Sequence, residues 1–361
     1  MTTSPAHAGG GHGPATTAED APTHMPQATQ AEAWIPESSG DRPLIKVRDV
    51  VKHFPIRGGV FNTVQAHVHA VNGVSLDVQR GEVLGIVGES GCGKSTLGKL
   101  IIRLIEPTRG TIAYNGVDLT TLSHGAMMPY RRKMQIIFQD PYSSLNPRLT
   151  VAAMLRETIC FHDVVSADEV EAFIDDLIAK VGLRADAKGK FPHEFSGGQR
   201  QRIGIARALA VRPEFIVADE PVSALDVSIQ AQVLNLMMDL KREMGLTLMF
   251  ISHDLKVIEH FCDRVLVMYL GFVVESLSCD DLHAQARHPY TRALLGANPV
   301  DDPDDRRPLT VLKGDVPSPL KPPKGCPFAG RCPLVMDRCR EEMPPLTPRA
   351  PAHRVACWAV E

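Results

Sequence analysis

A glycine-rich loop at residues 88–96 carries residue types and spacing suited to phosphate binding. The glycines let successive backbone N–H groups face phosphate oxygens, and the positive end of a following helix attracts the same charge. In this pattern Lys94 is expected to reach the β- and γ-phosphates of a nucleotide, and Ser95 to ligate Mg²⁺. The alternative, a turn that only joins a strand to a helix, requires every motif position to be filled by chance. The predicted ATP-binding residues of the loop are Gly88, Glu89, Ser90, Gly91, Cys92, Gly93, Lys94, Ser95 and Thr96.

An acidic pair, Asp219 and Glu220, follows the apolar run 215–218. A carboxylate at the end of a buried strand beside a phosphate loop can orient the Mg²⁺ shell, and its neighbour can polarise an attacking water. The pair alone is weak support, because strands commonly end in acidic residues. Downstream of a phosphate loop, however, it predicts hydrolysis of the bound nucleotide.

A second anion-binding helix start is predicted at Ser196, Gly197, Gly198 and Gln199. A Ser-Gly-Gly start leaves first-turn amides open, and these amides attract negative charge. The chain therefore carries two phosphate-binding helix starts, which is more than one triphosphate needs from a single protomer.

The elements that must position these groups follow a pattern typical of an α/β domain. Short apolar runs alternate with helical periodicity, which indicates a mostly parallel sheet covered on both faces. These runs lie at 83–87, 135–138, 215–218 and 246–251, and shorter strands are predicted at 44–47 and 74–78. A helix is predicted from Asp226 to the stop at Gly245, and residues 150–210 have the pattern of a helical insert.

Composition fits a soluble globular protein and gives no signal for nucleic acid. The chain has 361 residues, of which 44% are hydrophobic and 22% charged, with a formal net charge of −3. No basic field therefore favours nucleic-acid binding. The most apolar stretch, 265–274, is too short to span a bilayer and fits buried strands, and no secretory signal is visible at the start of the chain. We expect a cytosolic chain whose membrane association comes through partners.

The two ends of the chain have a different composition. Residues 1–40 contain few large apolar side chains and are predicted to be disordered, with His7, His12 and His24 solvated rather than bound to metal. Prolines crowd the segment after residue 298, which excludes long helices and central strands there and leaves few means of holding shape.

Four of the eight cysteines lie in this proline-rich segment, at Cys326, Cys332, Cys339 and Cys357. In a cytosolic chain such a group favours metal or cluster ligation over disulfides. Because the spacing lacks the paired C-x2-C of common zinc sites, it does not choose the metal, and free or oxidised thiols remain an alternative.

Together these motifs resemble those of the ATP-binding cassette (ABC) ATPases over residues 44–290. The matching motifs, in the family's order, are the loop 88–96, Gln139, Ser196–Gln199, Asp219–Glu220, Ser223–Asp226 and His253. The resemblance implies an α/β P-loop fold with a mostly parallel core sheet, an antiparallel β subdomain, a helical signature subdomain and a Cys-rich C-terminal tail. The implied division is a tail at 1–40, a nucleotide-binding domain at 41–290 with its helical subdomain at about 140–210, and an extension at 291–361.

The resemblance also implies roles for single residues. Two subunits pair head to tail, so that ATP on one loop is capped by the partner's signature residues 196–199. Gln139 contacts both Mg²⁺ and the attacking water, and Ser95 and Asp219 complete the metal site. Glu220 is the general base, and His253 contacts the γ-phosphate and supports the transition state. An aromatic ring is expected to stack on adenine, and Phe54 is the candidate, with core packing as its alternative. The signature starts with Phe195 where the family usually has leucine.

A narrower resemblance, to the oligopeptide and dipeptide importers, lies in residues 138–147, 219–230 and 288–295. It implies uptake of peptides, a heterodimer with a homologous ATPase subunit, two transmembrane permease subunits and an extracytoplasmic substrate-binding protein. The chain would then lie peripherally on the cytoplasmic face of the plasma (inner) membrane. The same resemblance implies a 4Fe-4S cluster on the four terminal cysteines, with zinc as the alternative.

The same motifs leave two other functions open. Other cargo of the subfamily, such as nickel complexes, is compatible with the same motifs. A soluble ABC ATPase that acts on nucleic acid or ribosomes could use the basic run 131–133, although that type usually carries two cassettes and this chain has one.

Overall fold

The computed structural model describes residues 42–59, 62–297 and 314–360. The strands are β1 (Ile45–Gly58), β2 (Thr63–Val78), β3 (Val83–Val87), β4 (Arg109–Tyr114), β5 (Val117–Asp118), β6 (Met134–Ile137), β7 (Phe215–Asp219), β8 (Thr247–Ser252), β9 (Arg264–Tyr269), β10 (Phe272–Ser278), β11 (Thr347–Ala350) and β12 (His353–Val355). The helices are α1 (Lys94–Ile101), α2 (His124–Lys133), α3 (Pro141–Ser144), α4 (Val151–Phe161), α5 (Val170–Lys180), α6 (Gly197–Leu209), α7 (Val227–Met244), α8 (Leu255–Phe261), α9 (Leu282–Gln285), α10 (Pro289–Ala297) and α11 (Asp337–Glu341). The predicted disorder of residues 1–40 falls outside the described residues.

Two sheets form the framework. An eight-stranded sheet has the order β11-β12-β10-β9-β3-β8-β7-β6, and its segment from β9 to β6 is parallel. A four-stranded antiparallel sheet has the order β2-β1-β4-β5. The predicted fold class, with its mostly parallel core sheet and separate antiparallel β subdomain, is confirmed.

The buried strands and the helix α7 lie where the sequence predicts them. Strands β3 and β7 are buried at every position, as expected for a parallel sheet covered on both faces. Helix α7 begins after Asp226 and ends at Gly245, whose φ of 64° terminates it in the left-handed conformation. The apolar stretch 265–274 forms parts of β9 and β10 rather than one continuous element.

The first two strands are much longer than predicted. Strand β1 has 14 residues and β2 has 16, whereas the sequence suggested short strands at 44–47 and 74–78. The additional residues, the end of β1 and the start of β2, are mostly exposed or half-buried. Few of these residues are buried, and the two strands keep their extended conformation there by pairing with each other.

The C-terminal tail is part of the main fold, contrary to the expectation that it has few means of holding shape. Strand β12 pairs with β10 and so adds the tail to the large sheet. Phe328 is 1% exposed and its ring contacts those of Tyr269 and Tyr290, with centroids 5.3 and 5.4 Å away. The proline-rich tail is thus anchored by aromatic packing and backbone pairing, neither of which requires a long helix.

None of the helices in the described ranges combines the length and apolar character that crossing a bilayer requires.

Candidate active site

The phosphate loop connects the central strand β3 to α1. Gly93 has a φ of 103°, and a Cβ placed on it would lie 2.1 Å from the carbonyl oxygen of Ala70. Only glycine fits here, because both the left-handed backbone and the close approach exclude a side chain. Gly93 also occupies the N-cap of α1 and supplies no side-chain cap, so the first-turn amides of α1 are not used by a capping group. The loop therefore has the open amides that phosphate binding requires.

Lys94 lies at the centre of this loop. Lys94 is 4% exposed, and its Nζ donates to the carbonyl oxygens of Gly88 at 2.7 Å and Glu89 at 3.2 Å. The ammonium group is thus held inside the turn by the loop's own backbone. A positive charge in this position is placed to neutralise a phosphate that enters the loop.

Two oxygen donors next to the loop fit a magnesium ion. Ser95 Oγ donates to Asp219 Oδ1 at 2.6 Å, across the gap between α1 and the end of β7. Burial raises the pKa of the Asp219 carboxyl, against the opposite effect of the Ser95 hydrogen bond. Mg²⁺ prefers oxygen ligands such as a hydroxyl and a carboxylate. A nearby cation would also stabilise the ionised form of a buried carboxylate. The predicted pair is therefore brought together by the fold.

Asp219→Asn should stabilise the nucleotide-free chain while impairing Mg²⁺-dependent hydrolysis. The raised pKa means that the folded chain binds this proton more tightly than the unfolded chain, so the group's contribution to stability falls as pH rises through the folded pKa. Asparagine keeps an acceptor for Ser95 without the buried charge, and we expect about 1 kcal/mol more stability near neutral pH.

Urea unfolding without Mg²⁺ or nucleotide measures this difference, which should shrink as pH falls and Asp219 takes up its proton. Asp239→Asn, on the exposed face of α7, is the control and should leave the unfolding midpoint unchanged. A less stable Asp219→Asn chain would contradict the assignment of burial as the dominant effect.

Three further predicted residues meet at the same sheet edge. Gln139 Nε2 donates to Glu220 Oε2 at 3.0 Å, and His253 Nδ1 lies 3.3 Å from the same oxygen. They follow β6, β7 and β8, whose carboxyl ends lie side by side because these strands are parallel neighbours. Glu220 has a φ of 47°, an uncommon conformation for a residue with a side chain and one that clusters at functional sites.

The signature residues form the start of α6. Ser196 is the N-cap, its Oγ accepts from the backbone N–H of Gln199 at 3.4 Å, and the Gln199 side chain accepts from the backbone N–H of Ser196 at 3.0 Å. A Cβ on Gly198 would lie 2.5 Å from a methyl carbon of Ile229 on α7, so glycine is required for this packing. Ser196, Gly197 and Gln199 are exposed. The helix start is thus formed within one chain and presented at the surface.

Phe54 lies on β1 with 37% of its surface exposed, and Lys52 Nζ is 5.0 Å from the centre of its ring. The core-packing alternative therefore does not describe this ring. Its stacking on adenine stays a prediction. Phe195, by contrast, is 6% exposed and packs in the core in place of the family's leucine.

Two residues that contact the phosphate loop were missed by the sequence reasoning. Tyr290 accepts a hydrogen bond from the backbone N–H of Glu89 at 2.8 Å, and Arg331 makes two hydrogen bonds to the Glu89 carboxylate. Both lie far along the chain from the loop, and neither belongs to a motif of the phosphate site. No sequence spacing could have identified these contacts.

The four terminal cysteines are near one another. The pKa of Cys326 is raised to about 11, mainly by burial and in smaller part by the thiols of Cys339, Cys332 and Cys357, while the backbone N–H of Phe328 lowers it. Within the described residues, however, no group of three or more His, Cys, Asp or Glu side chains is placed to hold a metal ion. The structure therefore gives no support for the predicted metal centre as a formed ligand set.

Comparison with known proteins agrees with this geometry. A family model described as ABC transporter matches residues 71–223, and one described as the C-terminal region of oligopeptide/dipeptide transporters matches residues 274–339. The chain is 52% identical over 314 residues to the protein of Sinorhizobium fredii named "Probable peptide ABC transporter ATP-binding protein y4tS", covering 87% of this chain and 89% of the relative. It is 50% identical over 323 residues to the oligopeptide transport ATP-binding protein AppF of Bacillus subtilis, covering 89% of this chain and 98% of AppF.

Solved structures show the same fold. The dimeric, post-hydrolysis structure of the ATP-binding cassette MJ0796 with ADP and Pi superposes with a TM-score of 0.59 at 29% identity, covering 65% of this chain and 98% of that one. CbiO1 from Clostridium perfringens, part of the ABC transporter complex cbiONQ, gives a TM-score of 0.58 at 26% identity, covering 68% and 92%. With relatives at about half-identity over nearly their whole length and two matching family models, the chain belongs to the ABC transporter ATPases and carries the C-terminal region of their oligopeptide/dipeptide branch.

Proposed function

We propose that this ATPase acts through the residues gathered at the carboxyl edge of its parallel sheet. The observation that carries the proposal is the register of the strands. Val87, the last residue before the loop, pairs with Ser252, and Asp219 pairs with Ile251. The phosphate loop, the acidic pair and His253 therefore leave the sheet at one level. In this arrangement the nucleotide phosphates, the metal and the attacking water all fall within reach of the same few side chains.

Each residue has a chemical task in this site. The loop amides and Lys94 hold the phosphates, while Ser95, Asp219 and Gln139 would hold Mg²⁺, which would supply charge neutralisation to the phosphates. Glu220 accepts the proton of the attacking water. His253, already 3.3 Å from Glu220 Oε2, is placed to contact the γ-phosphate and orient the carboxylate. Phe54 offers its exposed ring to the adenine.

The second helix start completes the site in trans. Ser196, Gly197 and Gln199 are exposed and presented at the surface. A head-to-tail pair of subunits lets each signature helix cap the nucleotide on its partner's loop, and the related cassette MJ0796 was solved as a dimer with ADP and Pi. Closing and opening of this pair, driven by ATP binding and hydrolysis, is the mechanical step that a transporter uses.

The cargo is proposed from the C-terminal region and from the relatives. The match at residues 274–339 and the names of the relatives in Sinorhizobium fredii and Bacillus subtilis favour import of di- or oligopeptides. In this function the chain pairs with a homologous ATPase, docks beneath two permease subunits on the cytoplasmic face of the membrane, and receives cargo through an extracytoplasmic substrate-binding protein. The domain boundaries at 41 and 291 belong to the same proposal.

Capture of the tagged chain from its native membranes, followed by identification of its partners, tests the assembly. The reconstituted complex with its binding protein should take up labelled di- or oligopeptides only when ATP is supplied. Uptake of nickel complexes without uptake of peptides would show that the cargo is a nickel complex and not a peptide. Retention of nucleic acid or ribosomes in place of permeases would overturn the transport function.

We also propose that Cys326, Cys332, Cys339 and Cys357 ligate a 4Fe-4S cluster. Support comes from the grouping of four cysteines in one short segment and from the match of residues 274–339 to the C-terminal region of oligopeptide/dipeptide transporters. Burial raises the pKa of Cys326, Cys332 and Cys357, and backbone N–H groups at Phe328, Leu334 and Ala359 oppose that rise. Such N–H donors favour the thiolate form that an iron cluster requires. The group would cross-link a tail that has little regular structure.

Anaerobically purified chain should be brown and contain iron and sulfide in equal amounts. Cys339→Ser should lose most of the iron and unfold at a lower temperature, because one of four cross-links is removed. Cys160→Ser, which alters an exposed cysteine on α4, should keep both properties. A colourless, iron-free preparation that contains zinc would show that the four cysteines bind zinc and not an iron-sulfur cluster.

A further inference from the structure

An ion pair connects the cysteine-rich tail to the phosphate loop. Arg331 donates through both terminal nitrogens to the Glu89 carboxylate, at 2.7 Å to Oε2 and 3.1 Å to Oε1. The arginine side chain is 7% exposed and the glutamate side chain 27%. This geometry is bidentate and mostly buried, so the pair is stronger than an exposed ion pair on a surface.

The arginine is held in place by aromatic neighbours. Its guanidinium carbon lies 5.9 Å from the centre of the Tyr269 ring, and its Nη1 donates to the Tyr269 hydroxyl at 3.4 Å. The buried Phe328, three residues earlier in the tail, packs against the same Tyr269 ring. The folded tail therefore fixes the position of the Arg331 side chain, which does not extend freely from the surface.

A second contact fixes the same point of the loop. The backbone N–H of Glu89 donates to the Tyr290 hydroxyl at 2.8 Å, and Tyr290 belongs to α10, which leads into the tail. Tyr290 is fully buried and its ring contacts both Tyr269 and Phe328. The side chain and the backbone of Glu89 are thus both held by one aromatic cluster, Tyr269, Tyr290 and Phe328, together with Arg331.

The charge of Glu89 makes this contact consequential for nucleotide binding. Glu89 is the second residue of a loop whose task is to attract phosphate, and its carboxylate carries the same sign as the ligand. The Lys94 ammonium donates to the carbonyl oxygen of this same residue. If Glu89 lost its partner, an unneutralised carboxylate would lie on the phosphate loop and oppose the field of Lys94 and the helix start.

We propose that Arg331 is a positioning residue for ATP, through which the folded C-terminal tail neutralises Glu89 and holds the phosphate loop in its binding conformation. This inference rests on the ATP site proposed above. It makes nucleotide affinity depend on the state of the tail, since Arg331 immediately precedes Cys332. Any change that unfolds the cysteine segment removes the partner of Glu89.

Binding of a fluorescent ATP analogue to the full-length chain tests the inference. Arg331→Ala should weaken binding by about tenfold or more, as expected when one partner of a charged hydrogen-bonded pair is left alone. The double variant Glu89→Gln/Arg331→Ala removes both charges and should return the affinity to within about threefold of the wild-type value. Arg340→Ala, an exposed arginine of the same tail, is the matched control and should bind normally.

The pattern of variants separates the possible outcomes. If Arg331→Ala binds as tightly as wild type, or if the double variant is as weak as the single one, the proposed route through Glu89 is wrong. The double variant also controls for a folding defect. It carries the same loss at position 331, so it would bind ATP as weakly as the single variant if that loss simply disrupted the fold. Lys94→Ala tests the underlying site: should it bind ATP normally, the proposed phosphate loop itself fails, irrespective of the result at Arg331.

Discussion

Glu220→Gln should bind ATP about as tightly as the wild-type chain and hydrolyse it at least about a hundredfold more slowly, the loss expected when a general base is removed. Glutamine keeps the size of the side chain and an oxygen that can accept from Gln139 Nε2, which now donates to Glu220 Oε2 at 3.0 Å. What it removes is the group that takes the proton of the attacking water. Binding depends on the loop and Lys94, which this substitution leaves unchanged.

Turnover by the assembled transporter and retention of ATP by the variant measure the two halves of this prediction. Glu157→Gln, at an exposed position of α4, is the control for a lost surface carboxylate and should hydrolyse normally. Unchanged hydrolysis by Glu220→Gln would remove Glu220 as the base and direct attention to His253, which lies beside it. A variant that fails to bind ATP would instead point to a role of Glu220 in holding the site.

A substitution of His253 gives a second test of the proposed roles of Glu220 and His253 in hydrolysis. A residue that orients Glu220 and contacts the γ-phosphate should, when changed to alanine, lower turnover while leaving the binding of ADP unaffected, since ADP has no γ-phosphate. If ADP binding fell in parallel with turnover, the histidine would be acting on the loop as a whole. The side chain of His253 is 59% exposed, so it is accessible from solvent.

The sequence identified residues that the fold brings together at one sheet edge, because the motifs that contain them are local. Lys94, Ser95 and the helix they open are set by nine consecutive positions, and the glycine that must be glycine, Gly93, is one of them. Glu220 could be predicted from its place directly after an apolar run, which forms the buried strand β7. His253 also follows a buried strand, but its role was implied only by the family resemblance. Parallel pairing then brings these strand ends together without further specification.

The parts that were missed depend on contacts between distant segments. Arg331 and Glu89 are 242 positions apart, and nothing in the neighbourhood of either residue signals the other. The long arms of β1 and β2 were missed for a related reason, because they are mostly exposed and hold their conformation through each other. The tail was misjudged because aromatic packing by Phe328, rather than a periodic apolar pattern, secures it.

The partner-facing helix start can be tested with a substitution that keeps its local role. Aspartate is as good an N-cap as serine and its charge favours a helix N-terminus, so Ser196→Asp should leave α6 folded. If a partner's γ-phosphate lies against this residue, the new carboxylate faces it with like charge. We expect ATP-dependent pairing and turnover at the partner's site to fall by about a hundredfold, the equivalent of roughly 3 kcal/mol from a lost charged hydrogen bond and added repulsion.

Ser196→Asn is the matched control for this test, since asparagine also caps helices but carries no charge. The two variants should bind ATP equally well on their own loops, because Lys94 and Ser95 are untouched, and should differ only once the partner subunit is present. Pairing is measured by size-exclusion chromatography with ATP and Mg²⁺ in the Glu220→Gln background, where the nucleotide is not consumed. If the aspartate and asparagine variants pair and turn over alike, no phosphate approaches Ser196, and the signature helix of this chain does not act on the nucleotide of its partner's loop.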